Sequence, residues 1–426
     1  MARKVFISVL GTGFYGKCKY KKNDFVSTET RFIQKATLEY IKVSEWNSAD
    51  AALFLLTPKA KEENWNKTII ERKHFTANEN IPYKGLEKVL EEMQLPFLPT
   101  ALDIPDGKNE EEMWIIFDTL LDALKDDDEI YFDLTHSFRY LPMLVLVFSN
   151  YAKFLKNAKI KHISYGNYEA RNIETNEAPI IDLLPVSGLQ DLTMAANDFI
   201  QFGKMGSFAQ IIDGGNKGSV GQAIQRIKKE FTKLDIYIAT CRMHELRKGD
   251  YIANINREFD IVFNSDILQA AEKKLLSKIK TALNVFRPHE TDENIDAAIN
   301  WAFKYGMYQQ AYTMGQELII TKVCNKLSYI NPFSDIVNFR QFVSALLAIS
   351  DKDVKNNKIE GILIQHEELT MQILNFDFIK EIRPIYAQLA SHRNMINHGK
   401  KSDIDFKIMF EKNYYSIINH LNNSPC

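Results

Sequence analysis

The chain has 426 residues, 45% hydrophobic and 25% charged, with a formal net charge of −2. That length exceeds one ordinary core, so two or three domains are expected, and the composition is that of a globular protein rather than a disordered one. The charge gives no global basic footprint, so nucleic-acid contact would need a local patch; four scattered cysteines (Cys18, Cys241, Cys324, Cys426) without a CxxC pair argue against structural zinc and for a reducing compartment.

The apolar run at residues 5–10 is too short for a signal peptide and reads as a buried strand. Helical spacing follows at 28–41, and strands are expected at 51–57 and 98–104. Residues 110–124 read as an amphipathic helix with Trp114, Phe117, Leu120, Leu121 and Leu124 on one side. A strand at 129–135, a helix at 140–155 and a strand at 159–165 complete the alternation. Strands separated by helices imply βαβ units and a mostly parallel sheet, so residues 1–185 are expected to form an α/β Rossmann-like domain. Beyond Pro185 the periodicity is helical to the end, with breaks at 214–219, 248–250 and 287–288. The glycine cluster at 214–219 lacks both a GK[ST] ending and an upstream strand, so it reads as a helix–helix connection. A helical connector at 186–290 and an all-α domain at 291–426 are the expected divisions. No run reaches the roughly 18 apolar residues of a membrane span. No membrane association and a cytoplasmic location are therefore expected.

Two loops at strand ends carry chemistry. Gly11-Thr12-Gly13-Phe14-Tyr15-Gly16 matches G-x-G-x-x-G directly after a strand. A dinucleotide fold requires a helix to open at that loop. Here Lys17-Cys18-Lys19-Tyr20-Lys21-Lys22 follows, which looks extended and basic, and no ribose-binding acid sits at the end of a second strand. A phosphate- or nucleotide-binding loop outside the redox class and a ligand-free glycine turn stay open. The second loop, Asp133-Leu134-Thr135-His136-Ser137-Phe138-Arg139, gathers hydroxyls, an imidazole and a guanidinium at the carboxyl end of a strand, where ligands of open α/β sheets bind. Thr135 and Ser137 can donate to phosphate oxygens and Arg139 can pair with them bidentately. The alternative makes Ser137 a helix cap and Arg139 a solvated charge. Tyr165-Gly166 ends a third strand, with an aromatic ring that could stack on a base.

Near the far end, Ser391-His392-Arg393-Asn394-Met395-Ile396-Asn397-His398-Gly399 closes an apolar-striped helix that is expected to begin at Pro384. Arg393 flanks the buried stripe, and Gly399 suits the helix end. His398 lies about 140° round from Arg393 at 100° per residue. The two side chains meet only if the helix end tightens, or if two copies of the helix face each other across a two-fold axis. The plain alternatives are a half-buried salt bridge for Arg393 and a dipole partner for His398.

These residues carry a family resemblance. Arg393-Asn394 and His398, late in a helical domain, resemble the R-x(4–6)-H motif of HEPN ribonucleases, and Tyr308–Glu317 resembles the first long helix of such domains. Leu10-Gly11-Thr12-Gly13 with Tyr15, Leu56-Thr57-Pro58 with Ala60 and Asn64-Trp65, and Asp133-Leu134-Thr135-His136 with Arg139 resemble the CARF domains of CRISPR-associated proteins of the Csx type. Ser137 departs from the glycine of that family's D-x-T-H-G-x-R pattern. The resemblance implies a homodimeric, or larger, ancillary effector of type III CRISPR immunity. Its CARF domains would bind a cyclic oligoadenylate, with cyclic tetra-adenylate as the expected activator, through Gly11, Thr12, Gly13, Tyr15, Thr135, His136, Ser137 and Arg139. Its HEPN pair would cleave single-stranded RNA without a metal or other cofactor, through Arg393, His398 and Asn394. The competing implication is a ligand-sensing module whose helical domain binds RNA or protein without cutting.

Overall fold

The computed structural model describes residues 2–68, 70–73, 80–136, 140–206, 218–356 and 358–423. Ser137, Arg139 and most of the 214–219 cluster lie outside them. The chain divides into two compact units, Met1–Gln190 and Asp191–Cys426. The first is a mixed α/β domain and the second is helical, as the alternation and the later periodicity imply.

In the first unit an eight-stranded sheet has the order Phe25–Val26 (β3), Lys19–Lys22 (β2), Glu177–Asp182 (β10), Lys159–Gly166 (β9), Glu129–Asp133 (β8), Lys4–Leu10 (β1), Ala51–Leu56 (β4), Thr100–Asp103 (β7). Its parallel centre comprises β1 (Lys4–Leu10), β4 (Ala51–Leu56), β7 (Thr100–Asp103), β8 (Glu129–Asp133) and β9 (Lys159–Gly166). β1 is nearly continuous in apolar side chains because both faces are covered. Val5, Ile7 and Val9 enter one cluster with Leu53, Leu55 and Phe132, while Phe6 and Leu10 enter another with Phe54, Leu56 and Trp65. Alternate residues of a strand point to opposite faces, so one strand feeds two cores.

The basic run after the glycine loop is strand β2 (Lys19–Lys22), paired with β3 (Phe25–Val26) and with β10 (Glu177–Asp182). It is extended, as its alternation suggests, and it adds an edge to the sheet that the βαβ pattern alone does not contain. The helix expected from residue 28 starts later, at α1 (Ile33–Tyr40), because Thr30 is held in an antiparallel bridge to Cys18. After the short helix α2 (Pro58–Ala60), capped by Thr57, a hairpin of β5 (Ile70–Lys73) and β6 (Asn80–Tyr83) precedes α3 (Leu86–Glu92). In α4 (Glu110–Asp122) the buried side consists of Ile116, Phe117 and Leu120, and Trp114 is 57% exposed, contrary to the stripe expected. Trp114 still meets Phe117 edge-on at 5.7 Å. Helix α5 (Leu141–Lys156) follows the second loop.

The helix α6 (Leu184–Phe202) crosses the boundary between units. In the second unit a single apolar cluster runs from Leu192 to Leu421, so the helices of 191–290 and those after 291 share one core. The helix Asp377–Asn397 is continuous through Pro384, which corrects the expectation of a new helix there. Proline removes one backbone donor and costs roughly 3 kcal/mol inside a helix. Burial of Ile379, Ile382, Tyr386 and Leu389, which lie at 3–4-residue spacing on both sides of Pro384, offsets it. Among the described residues no helix is long and apolar enough to cross a membrane.

Candidate functional site

Three adjacent parallel strands, β9, β8 and β1, end side by side, and a buried carboxylate joins them. Asp133, at the end of β8, accepts from Ser8 Oγ of β1 at 2.7 Å and from the Thr135 hydroxyl at 2.6 Å. Thr135 Oγ1 in turn accepts the Gly166 N–H of β9 at 2.8 Å. Burial raises the Asp133 pKa, while these hydrogen bonds pull it down. The Thr135 hydroxyl hydrogen is thus committed to Asp133, and its position fixes the loop rather than leaving a free donor.

The glycine loop leaves β1 beside this knot. Tyr15 folds back over His136, the rings stacking with centroids 4.0 Å apart and 22° between planes. A Cβ on Gly11 would lie 2.8 Å from the Tyr15 hydroxyl oxygen, so that close approach requires glycine. Burial holds the His136 pKa down at about 4, which keeps the ring neutral at pH 7, and it raises the Tyr15 pKa. His136 Nε2 is buried with no hydrogen-bond partner among the described residues, while the Tyr15 hydroxyl lies against the Gly11 backbone. An unpaired buried polar atom is costly, which makes His136 Nε2, at these converging strand ends, a candidate contact for a polar ligand. The structure therefore brings Gly11, Thr12, Gly13, Tyr15, Thr135 and His136 together at the carboxyl ends of the central strands β1 and β8.

Further residues hold this loop, and among them only Asn64 belongs to a motif quoted from the sequence, the Asn64-Trp65 pair. Asn64 Nδ2 donates to the carbonyls of Gly11 and Gly13 at 2.7 and 2.8 Å. Arg72 of β5 reaches Thr12 O at 3.0 Å, and Arg31 reaches Tyr15 O at 2.9 Å. Tyr168, in the turn after β9, packs so closely on Gly16 that a Cβ there would meet its hydroxyl. Tyr168 is thus an aromatic against the loop that the sequence reading did not single out. Arg31, Arg72 and Tyr168 belong to no recognisable spacing.

In the second unit, Arg393 is half-buried on the helix Asp377–Asn397, and its Nε donates to Gln316 Oε1 at 2.8 Å. Gln316 is itself buried and donates to the Tyr386 hydroxyl at 3.0 Å, so the guanidinium stem is fixed by a neutral network rather than by a carboxylate. Neither Nη nitrogen of Arg393 has a hydrogen-bond partner among the described residues. Asn394 and His398 are exposed, and the same holds for their side chains. The helix stays regular to its end. His398 N–H donates to Asn394 O at 3.0 Å, Gly399 takes φ +57°, and Lys400 N–H closes on Met395 O at 3.0 Å. That is a Schellman stop, and it leaves Arg393 and His398 on different sides of their own helix. His392 points inward between Tyr312 and Phe406, and burial lowers its pKa.

Residues 5–170 match the family model described as the CARF domain of the CRISPR system endoribonuclease Csx1. The chain is also 24% identical over 458 residues to a CRISPR-associated protein of Methanocaldococcus jannaschii, with 99% of this chain and 66% of that protein covered. It thus spans about two thirds of that relative's length.

Proposed function

We propose that this protein, whose residues 5–170 match the Csx1 CARF family model, is a ligand-sensing effector of type III CRISPR defence whose helical unit is an RNase of the HEPN kind. A cyclic oligoadenylate binds at the strand-end site formed by Gly11, Thr12, Gly13, Tyr15, Thr135 and His136 and switches on cleavage of single-stranded RNA. A ring of adenylates has two-fold symmetry only with an even number of units, so a site shared by two protomers suits four or six, and cyclic tetra-adenylate is the activator assigned.

Support for a two-fold pair comes from α5. Met143, Val147, Tyr151, Phe154 and Leu155 form an exposed apolar stripe, with Phe154 86% exposed. The stripe starts within the first turn of the helix that follows the Thr135 loop. An apolar face is self-complementary, as a symmetric interface requires. The divergence of Arg393 and His398 on a regular helix likewise favours a site built from two copies.

The observation that carries the cleavage reading is that Arg393 keeps both Nη groups, and His398 its whole ring, free of hydrogen-bond partners among the described residues at one exposed helix end. The ribose 2′-oxygen attacks the adjacent phosphorus and loses its proton to a base. The bond from phosphorus to the 5′-oxygen breaks, and that oxygen takes a proton. The products are a 2′,3′-cyclic phosphate and a 5′-hydroxyl. His398 serves as acid or base, a role worth roughly 10²–10⁴-fold. Arg393 stabilises charge on the phosphoryl oxygens, and Asn394 orients substrate. No metal takes part in this scheme.

The test is incubation of fluorescent RNA with a panel of cyclic oligoadenylates in EDTA. Cleavage is expected only with activator, and Arg393→Ala or His398→Ala is expected to lower it by roughly 10²-fold or more with activator binding retained. Equal rates with and without activator remove the switch. Undiminished biological protection by the double variant would make the helical unit a binding module instead.

A further inference from the structure

We propose that Arg31 and Arg72 are positioning residues of the glycine loop: by taking its carbonyl oxygens, they turn its amide N–H groups toward the ligand as an anion-binding face. The proposal rests on reading this loop as the activator site.

Four of the loop's carbonyls, those of Gly11, Thr12, Gly13 and Tyr15, have side-chain donors. Gly11 O and Gly13 O accept from Asn64, Thr12 O accepts from Arg72 Nη2 at 3.0 Å, and Tyr15 O accepts from Arg31 Nη1 at 2.9 Å. Arg72 Nη1 adds a longer contact to Gly13 O at 3.4 Å. By contrast, the N–H groups of Thr12, Gly13 and Gly16 have no acceptor among the described residues. In a planar trans peptide the C=O and the following N–H point in opposite directions. Each carbonyl held by Asn64, Arg72 or Arg31 therefore turns the N–H of its own peptide, that of Thr12, Gly13 or Gly16, away from the side chain that holds it. Successive N–H groups aimed one way form a concavity suited to phosphate.

Both guanidiniums are themselves fixed. Arg31 lies 5.1 Å from the Phe14 ring centroid and 5.3 Å from that of Tyr83, and Arg72 lies 5.8 and 5.1 Å from the same two rings. Arg72 also pairs with Glu63 at 3.2 Å. Its Nη1 and the Tyr83 hydroxyl both donate to Asn64 Oδ1, at 2.6 and 2.8 Å. With its oxygen so occupied, the Asn64 amide must present Nδ2 to the loop. Arg72 thus sets the peptide planes twice, once directly and once through Asn64, and Arg31 sets the plane at the far end.

The experiment measures binding of fluorescent cyclic tetra-adenylate and cyclic hexa-adenylate to the full chain, with activator-dependent RNA cleavage followed in parallel. For Arg72→Ala and Arg31→Ala the dissociation constant and the half-saturating activator concentration are expected to rise about tenfold. The cleavage rate at saturating activator is expected to stay within about twofold, a split that general loss of structure would not give. If Arg72→Ala melts early, Arg72→Lys is read in its place; it keeps the charge and cannot bridge two carbonyls and Asn64 together, so the same rise is expected. Unchanged binding in the folded variants overturns the positioning role alone. A wild-type chain that binds neither ring overturns the activator reading and this inference with it.

Discussion

At His162 burial pushes the imidazole pKa down to about 4, with Asp182 and Lys22 as opposing nearby charges. The side chain sits between Tyr40 and Tyr131, and its Nε2 has no partner among the described residues. The folded pKa lies below the unfolded value near 6.5, so between these values the unfolded chain binds a proton that the folded chain does not. Stability from this group is therefore full above about pH 6.5 and is lost as pH falls toward 4, by up to about 2 kcal/mol at pH 5. Asp133 works with the opposite sign, since burial raises its pKa and the folded state retains its proton to higher pH. Comparing His162→Gln with wild type isolates the histidine. The gap between urea midpoints at pH 7 and pH 5 is expected to shrink in the variant, and an unchanged gap refutes the linkage. His162 is readable in the sequence only as one polar residue in a strand, because its burial depends on rings brought from β8 and α1.

The helix Asp377–Asn397 shows how an element sets a side chain. Its end is defined by Gly399 at φ +57°, a conformation that costs an L-residue roughly 1–2 kcal/mol. Nothing lies within 4 Å of a Cβ built there, so the cost in a Gly399→Ala variant is backbone strain alone. A loss of about 1 kcal/mol in the unfolding free energy is expected, with Gly399→Asn losing less because asparagine enters this region more readily. Equal stability of all three would mean that the helix ends elsewhere in solution. The stop was legible in the sequence, since glycine after the last apolar repeat is a local signal. The start was not. Pro384 is also a local signal, and the core on both sides of it prevailed. Trp114 fails for a related reason: a helical stripe names the apolar residues but not which edge of the stripe the neighbouring elements cover.

For the molecule as a whole, the α5 stripe is the face on which the two-fold reading depends. Phe154→Glu and Val147→Glu each put a charge into this apolar face, so both are expected to convert a dimer to a monomer in sedimentation and to abolish activator-dependent cleavage. A chain that is monomeric in wild type, or dimeric with both substitutions, removes this face from the scheme. The chain by itself determined the division into an α/β unit and a helical unit, the covered strands β1 and β4, and the candidate loops at strand ends. Those follow from periods of two and 3.6 residues, which any short stretch carries within itself. Only the tertiary structure decided what holds the loops. Arg31, Asn64 and Arg72 reach the glycine loop across 16 to 60 residues, and Gln316 reaches Arg393 across 77. Such partners are joined by packing across the fold, and no local periodicity encodes a contact between residues so far apart.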